Sequence, residues 1–422
     1  MDKFATVMET RKPRVVYWKN IPSPYSVERF NLIAERGNID LEVWFNEVRE
    51  PDRSWDVDES TWKFRGRYIP GITSFGKKLH LPLTEIYQAR PDLLVTLYYE
   101  PSFALGSLSA RSLASRTLYA VMPTFDSWSE RTWWRELAKH FLFRAVDGAQ
   151  VSGAEAVALT QKYGLPVTRS YVVTQSINVA HYSRARVTSP DMIKQRRENL
   201  GLQGCVFIYV GRLWKGKGLD YLLKAYAEVR MKAPDVSLLL IGDGVDEARY
   251  QAMAQELPGV IFTGYIQAQD MPEFYALGDV FVFPTLGDPY GHVIGEAMAA
   301  GLPAISTETA GEIRGRISDG QDGFIVPAGD ITALANRMIQ LAENPTLRRR
   351  FAAQAFLRVD SISHDYYARD FETMVERTLS TPPRRSMMSY IARGLGWGLL
   401  ALSGLWSRSP APFAGRGVID DS

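Results

Sequence analysis

Short apolar runs alternate with longer segments of helical spacing almost from the start of the chain. Residues 14–18, 41–45, 93–97 and 117–121 are strand-length and largely apolar, while 27–36 and 130–145 carry apolar residues three and four apart. That rhythm predicts βαβ units and a parallel sheet. Residues 150–152 and 171–174 add two short strands, after which the pattern is irregular through Arg186. Ser189-Pro190-Asp191 then supplies a helix start signal, a capping serine followed by proline and an acid. The rhythm resumes more clearly, with strands over 206–210, 236–241, 260–262, 280–284 and 304–306 and helices over 219–232, 246–256 and from Val293 onward. Strands that are apolar throughout need helices on both faces of their sheet.

The expectation is an α/β protein of two doubly wound, Rossmann-like domains, residues 1–183 and 184–360, facing a central cleft. Ligands in such sheets bind beyond the carboxyl ends of the strands. A length of 422 residues agrees with two cores better than one. With 46% hydrophobic and 23% charged residues the chain is globular, and a net charge of +2 makes nucleic acid a poor default partner. The one cysteine, Cys205, lies in an apolar run and suits packing in a reducing compartment. The first twelve residues hold no apolar stretch of the kind a secretory signal needs, so the cytoplasm is the expected location.

Residues 284–306, PTLGDPYGHVIGEAMAAGLPAIS, run from a strand into a glycine loop and then a helix. The unpaired amides of a first helical turn and the positive end of the helix dipole favour a phosphate there, and Gly291 lets backbone approach it. Asp288 before the helix and Glu296 about one turn inside it would repel that phosphate, so they are expected to face hydroxyls of a polyol on either side. Residues 210–225, VGRLWKGKGLDYLLKA, repeat the strand, loop and helix order and present Arg212 and Lys217 at the strand's carboxyl end. A guanidinium fork and an ammonium together can neutralise a diphosphate as charge builds on it. Lys215 is a further cation in that loop, with no assigned role.

The first of these segments resembles the E-x7-E segment of the retaining GT-B glycosyltransferases of family 4, the glycosyl transferases group 1. Asp288 stands where that pattern has its first Glu, Gly291 matches its second Gly, and Glu296-Ala297-Met298-Ala299 with Gly301 and Pro303 match throughout. Arg212 and Lys217 fall on the two basic positions of the family's G-R-L-x-x-x-K-G. The resemblance implies that Asp288 holds hydroxyls of a donor sugar, that Glu296 holds the ribose, and that amides from Gly291 through His292 to Val293 lie near sugar and phosphate. Gly211, Gly242-Asp243 and Gly264-Tyr265 resemble family turns that line the nucleotide, and 309–312 resembles another loop near the donor. The shorter Asp288 bears on which donor sugar is taken.

In that family the first domain holds the acceptor. Pro24 and Tyr25, in the loop after the first strand, resemble an acceptor-facing loop. Where many relatives place a histidine, after the strand ending at Val121, residues 123–128 offer only Asp126 as a polar candidate, and His140 follows within a helix. Asp56-Val57-Asp58 is a DxD triplet, the metal-diphosphate motif of a different glycosyltransferase fold, but its polar, tryptophan-containing surroundings read as solvated. No cofactor or metal is expected, because Arg212 and Lys217 supply the cationic help.

Residues 361–380 carry the pattern of a helix crossing back to the first domain, and 381–422 form a tail. An uncharged run over 394–406, with Trp397 and Trp406 at its ends, is far too short for the roughly 20 residues that span a bilayer. It suits a helix lying on a membrane surface, although four glycines weaken helix formation; packing on the body or disorder are the alternatives. The expected activity is transfer of a hexose from a nucleoside diphosphate sugar to a saccharide or lipid-linked saccharide in cell-surface or extracellular polysaccharide synthesis, with retention. The enzyme would be cytoplasmic, with the tail placing it on the inner face of the membrane. A GT-B nucleotide-sugar epimerase or phosphorylase, and a non-catalytic sugar-nucleotide-binding scaffold, remain open on the same residues.

Overall fold

The computed structural model describes residues 11–49, 57–74, 77–122 and 132–407. The first sheet holds seven parallel strands in the order β3-β2-β1-β6-β7-β8-β9: β1 (Arg14–Lys19), β2 (Asp40–Phe45), β3 (Arg65–Tyr68), β6 (Leu93–Thr96), β7 (Arg116–Val121), β8 (Gly148–Val151) and β9 (Ser170–Val172). An antiparallel hairpin of β4 (Gly71–Ser74) and β5 (Lys77–His80) lies apart from it. The second sheet holds six parallel strands, β12-β11-β10-β13-β14-β15: β10 (Cys205–Val210), β11 (Val236–Ile241), β12 (Val260–Phe262), β13 (Val280–Phe283), β14 (Ala304–Thr307) and β15 (Gly323–Val326). Both sheets are wound from the middle outward. β1 has β2 on one side and β6 on the other, and β10 sits likewise between β11 and β13. Each sheet therefore has its topological switch point at its first strand, and the crevice forms at the carboxyl ends of β1 and β10.

The apolar strands are buried as their composition requires. Val206, Phe207, Ile208 and Tyr209 of β10 and Leu238, Leu239 and Leu240 of β11 are fully buried beneath helices such as Leu219–Lys232 and Ile331–Glu343. Cys205 belongs to this core, and burial pushes its thiol up to about 12, so it packs and does not react at neutral pH. Some elements lack the expected pattern. β3, RGRY, is polar and largely exposed because it is an edge strand paired only to β2. Asp58 caps a short 3-10 turn, accepting from the Ser60 amide at 2.9 Å; Asp56 lies outside the described residues.

The chain crosses between the two sheets at two adjoining places. Ile177 donates its amide to the Ile362 carbonyl at 2.9 Å, beside a bridge between Ile177 and Ser363. The helix His364–Ser380 then packs on the first sheet, where Tyr367, Phe371, Met374 and Val375 join the cluster of Val15, Tyr17 and Phe30. The segment 179–187, irregular in sequence pattern, is helical: Val179–Tyr182 followed by a 3-10 stretch, Ser183–Val187.

The tail contains a 21-residue helix, Met387–Ser407, despite its glycines. Packing explains this: a Cβ on Gly396 would lie 2.1 Å from the Leu108 carbonyl oxygen, so the glycine permits close contact with the helix Pro101–Ser112. No described helix is long and apolar enough to cross a membrane.

Candidate active site

A cavity of about 680 Å³ lies between the two sheets, at the carboxyl ends of β1, β7, β8, β10, β11 and β13. Arg212, Lys217, Asp288, Gly211, Gly242, Asp243, Tyr265, Gly291, His292, Val293, Glu296 and Tyr25 all line it. Gly264 does not, although its carbonyl accepts the Gly242 amide at 2.9 Å and so sets that loop. Pro24 does not either: it starts the helix Pro24–Arg36, behind a capping box of Ser23 and Ser26. Asp126 and the segment 123–131 lie outside the described residues. His140, on the helix Trp133–Ala145, packs edge-on against Tyr163 at 5.2 Å and is not among the lining residues.

On the second domain's side, the loop after β13 is held from behind. The buried Arg316 guanidinium donates to the carbonyls of Tyr290 and Gly291, the latter at 2.8 Å. Gly291 caps the helix His292–Ala299 at a φ of 69°, a left-handed conformation suited to glycine. The Gly291 carbonyl also accepts the Ile294 amide at 3.1 Å, so the helix-start donors that lack an acceptor within the helix are the amides of His292 and Val293. The loop after β10 meets the loop after β11 backbone to backbone: a Cβ on Gly242 would lie 2.1 Å from the Gly211 carbonyl oxygen. Only glycine allows that approach.

The two acids behave differently from each other. Asp288 forms an ion pair with Lys217 through one oxygen and accepts the Tyr290 amide through the other at 2.9 Å. Lys217 and Asp288 are thus mutually neutralised, with Lys217 also 5.6 Å from the Phe283 ring centroid. Glu296 is 2% exposed, and the hydroxyls it was expected to face are supplied by tyrosines. Tyr25 donates to its Oε1 at 2.5 Å and Tyr275 to its Oε2 at 2.8 Å. Burial raises the Glu296 pKa, against the opposing pull of hydrogen bonds from Tyr25, Tyr275 and Tyr182.

His292 stacks on Tyr25, with ring centroids 4.7 Å apart and planes 7° from parallel. Burial, reinforced by Arg29 and Arg316, drives its pKa well below the ordinary value, so the imidazole is neutral. Its Nδ1 is buried without a hydrogen-bond partner among the described residues. Arg29 was not foreseen as a site residue. It reaches the cavity from the helix Pro24–Arg36, donating to the Gln175 Oε1 at 2.5 Å and lying over Tyr367. The available signal was a charged residue on that helix's apolar face, four positions after Tyr25. Lys19 and Asn20 also line the cavity; their place at the end of the first strand marked them. Tyr182 and Tyr275 carried no such mark, because their convergence on Glu296 depends on the packing of separate elements.

The domains are also fastened beside the cavity. Glu312, at a φ of 58°, caps the first-domain helix Ala154–Lys162 by accepting the amides of Glu155 at 3.1 Å and Ala156 at 2.9 Å. Glu155 in return accepts the Glu312 amide at 3.1 Å.

This arrangement of basic loop, acid-bearing helix start and glycine turns lies almost wholly on the second sheet. Residues 204–344 match the family of glycosyl transferases group 1. Within the group 1 segment lie Arg212, Lys217, Asp288, His292 and Glu296. The capsular polysaccharide biosynthesis glycosyltransferase CapM of Staphylococcus aureus is 34% identical over 158 residues, 36% of this chain and 40% of that protein. A GDP-mannose-dependent phosphatidylinositol monomannoside mannosyltransferase of Mycolicibacterium smegmatis is 33% identical over 175 residues, 39% of this chain and 45% of that protein. The chain spans less than half the length of these relatives. Among solved structures, Anabaena Alr3699/HepE in complex with UDP superposes with a TM-score of 0.70 at 17% identity, over 86% of this chain and 99% of that one. WaaG, a glycosyltransferase involved in lipopolysaccharide biosynthesis, gives 0.63 at 16% identity over 86% and 99%. The fold is GT-B: two Rossmann-like α/β domains about a cleft.

Proposed function

We propose that the protein transfers a hexose from a nucleoside diphosphate sugar to a saccharide or lipid-linked saccharide, with retention at the anomeric carbon, in the assembly of a cell-surface or extracellular polysaccharide. The observation that carries this reading is the meeting of the Lys217 and Arg212 loop with the Asp288–Glu296 loop and helix start, both within residues 204–344, on one wall of the cavity between the sheets. The relatives named for capsular polysaccharide and phosphatidylinositol mannoside synthesis, and the UDP bound to the Anabaena protein, point the same way. The reducing cytoplasm, which the lone buried Cys205 suits, is the compartment we assign to it.

In this reading the diphosphate sits between Arg212, Lys217 and the amides that open the helix His292–Ala299, where both fixed charge and helix dipole stabilise it. Donor phosphate draws Lys217 from Asp288, which frees that carboxylate to accept sugar hydroxyls. Glu296 accepts the ribose hydroxyls once Tyr25 yields its place. The bond from the anomeric carbon to the diphosphate oxygen breaks as the acceptor oxygen bonds to the same face of that carbon. The acceptor's proton passes to the departing diphosphate, whose new charge is balanced by the two cations, and no metal is assigned to the site. Incubation with a panel of nucleoside diphosphate sugars and candidate acceptors, followed by measurement of nucleoside diphosphate release and the anomeric configuration of the product, tests this. Donor conversion without acceptor would replace the reading with an epimerase, and binding without consumption would replace it with a scaffold.

A further inference from the structure

The helix Met387–Ser407 uses one face for the fold. Ala392 is buried with Leu108 and Ala145, Met388 packs beside them, and Gly396 meets the Leu108 carbonyl. The opposite face presents Met387, Tyr390, Ile391, Leu395 and Trp397 at 45 to 70% exposure, with Gly394, Gly398 and Ala401 exposed between them. The apolar surface does not end there. On the adjoining helix Trp133–Ala145, Phe141 and Ala145 touch this helix, and Leu137 and Trp134 lie one and two turns before Phe141, at 63 and 53% exposure, next to Trp133 at 78%. Exposed apolar and aromatic side chains on two helices in contact with each other mark a docking site.

Charge identifies what docks. Residues 381–407 contain no acid and three arginines. Arg384 is occupied with the carbonyls of Phe143 and Gly164, but Arg385 is exposed and Arg393 lies half-buried at the margin of the apolar face. Arg135, also exposed, lies over the Trp134 ring at 5.2 Å. The acid on the adjoining helix, Glu136, is already paired with Lys139 and Lys162, so a second copy meeting this face by a two-fold axis would set Arg385 and Arg393 against cations. Tryptophan and tyrosine at the rim of an apolar stripe, with arginine beside them, match the boundary between headgroups and acyl chains. A helix of 21 residues is about 31 Å long, and because its inner face is packed on the first domain, its outer face is open only to a surface that runs alongside it.

We infer that the outer face of Met387–Ser407 and the first turns of Trp133–Ala145 form one platform that seats the first domain on an anionic lipid bilayer. The platform belongs to the first domain, whose strand β7 ends at Val121 on the cavity wall. If the glycosyl transfer reading holds, a lipid-borne acceptor would enter from this side; docking itself does not depend on that reading.

The test is co-sedimentation of the full chain with vesicles of phosphatidylcholine mixed with phosphatidylglycerol, and with phosphatidylcholine alone. Wild-type protein is expected to pellet with the mixed vesicles and to bind on the order of tenfold more weakly to the neutral ones or at high salt. Ile391→Ser with Trp397→Ser, Trp133→Ser with Trp134→Ser, and Arg135→Glu with Arg385→Glu are each expected to lower binding by a similar factor at an unchanged melting temperature. Should a variant misfold, the salt and lipid dependence of the wild type still decides the matter. Wild-type protein that stays in the supernatant, binding unaffected by the substitutions, or a dimer that Ile391→Ser with Trp397→Ser dissolves would each overturn the inference. Because sedimentation reads no turnover, failure here leaves the transferase reading to its own assay.

Discussion

Tyr25 and Glu296 stand on different domains and are joined across the cleft: the tyrosine hydroxyl donates to the Glu296 Oε1 at 2.5 Å. The same ring lies flat on His292, so Tyr25 is held by one polar and one stacking contact. A donor ribose that uses Glu296 must compete with that hydroxyl. Tyr25→Phe keeps the ring and removes the competitor. It is expected to tighten binding of UDP or GDP by a factor of about two to ten, the worth of a net hydrogen bond of roughly 0.5–1.5 kcal/mol. Titration calorimetry reads this directly, and weaker binding would mean the hydroxyl itself contacts the donor.

Lys217→Ala removes the cation paired with Asp288. Turnover is expected to fall about 100-fold or more, as for loss of a group that stabilises charge in the transition state. Asp288, only 15% exposed, would be left without its cation, so a modest fall in melting temperature should accompany the loss. Unchanged turnover in folded protein would remove Lys217 from the mechanism.

His292 gives the site a pH signature. Its folded pKa is depressed by burial, while the unfolded imidazole titrates at about 6.5. The unfolded state therefore binds the proton first as pH falls, and the stabilisation present above about 6.5 is lost progressively below it. His292→Asn should flatten this part of the stability curve between pH 7 and 5, measured by denaturant unfolding at each pH. An unaltered slope would show that His364, depressed in the same direction, dominates.

Two glycines of one helix should respond oppositely to alanine. At Gly396 a Cβ would strike the Leu108 carbonyl at 2.1 Å, whereas at Gly398 it meets nothing within 4 Å. Gly396→Ala is expected to destabilise by about 1–3 kcal/mol through overpacking. Gly398→Ala should stabilise by roughly 0.5–1 kcal/mol through helix propensity. Thermal melts of the two variants separate these effects.

Local order was legible in the sequence wherever one physical rule governed a segment. Fully apolar strands such as β10 and β11 announced a doubly covered parallel sheet, and residues 284–306 announced the strand, glycine loop and helix start that border the cleft. Arg212, Lys217, Asp288 and Glu296 could be named because the carboxyl end of a strand fixes where its loop points. β3 was not legible, since an edge strand needs no apolar alternation. What only the tertiary structure decided is the pairing of these groups. The sequence singled out Asp288 and Lys217 separately, but their mutual neutralisation depends on how two loops meet. Tyr25, Tyr182 and Tyr275 come from three elements spread over 250 residues, and no periodicity in any one of them reports that all three converge on Glu296. The glycine-rich helix Met387–Ser407 makes the same point: propensity alone argues against it, and the close contact that its glycine permits with Pro101–Ser112 outweighs propensity. Local pattern reports the backbone where propensity and burial agree, whereas a glycine-rich helix and the partners of a buried charge are set by whichever surfaces the fold brings together.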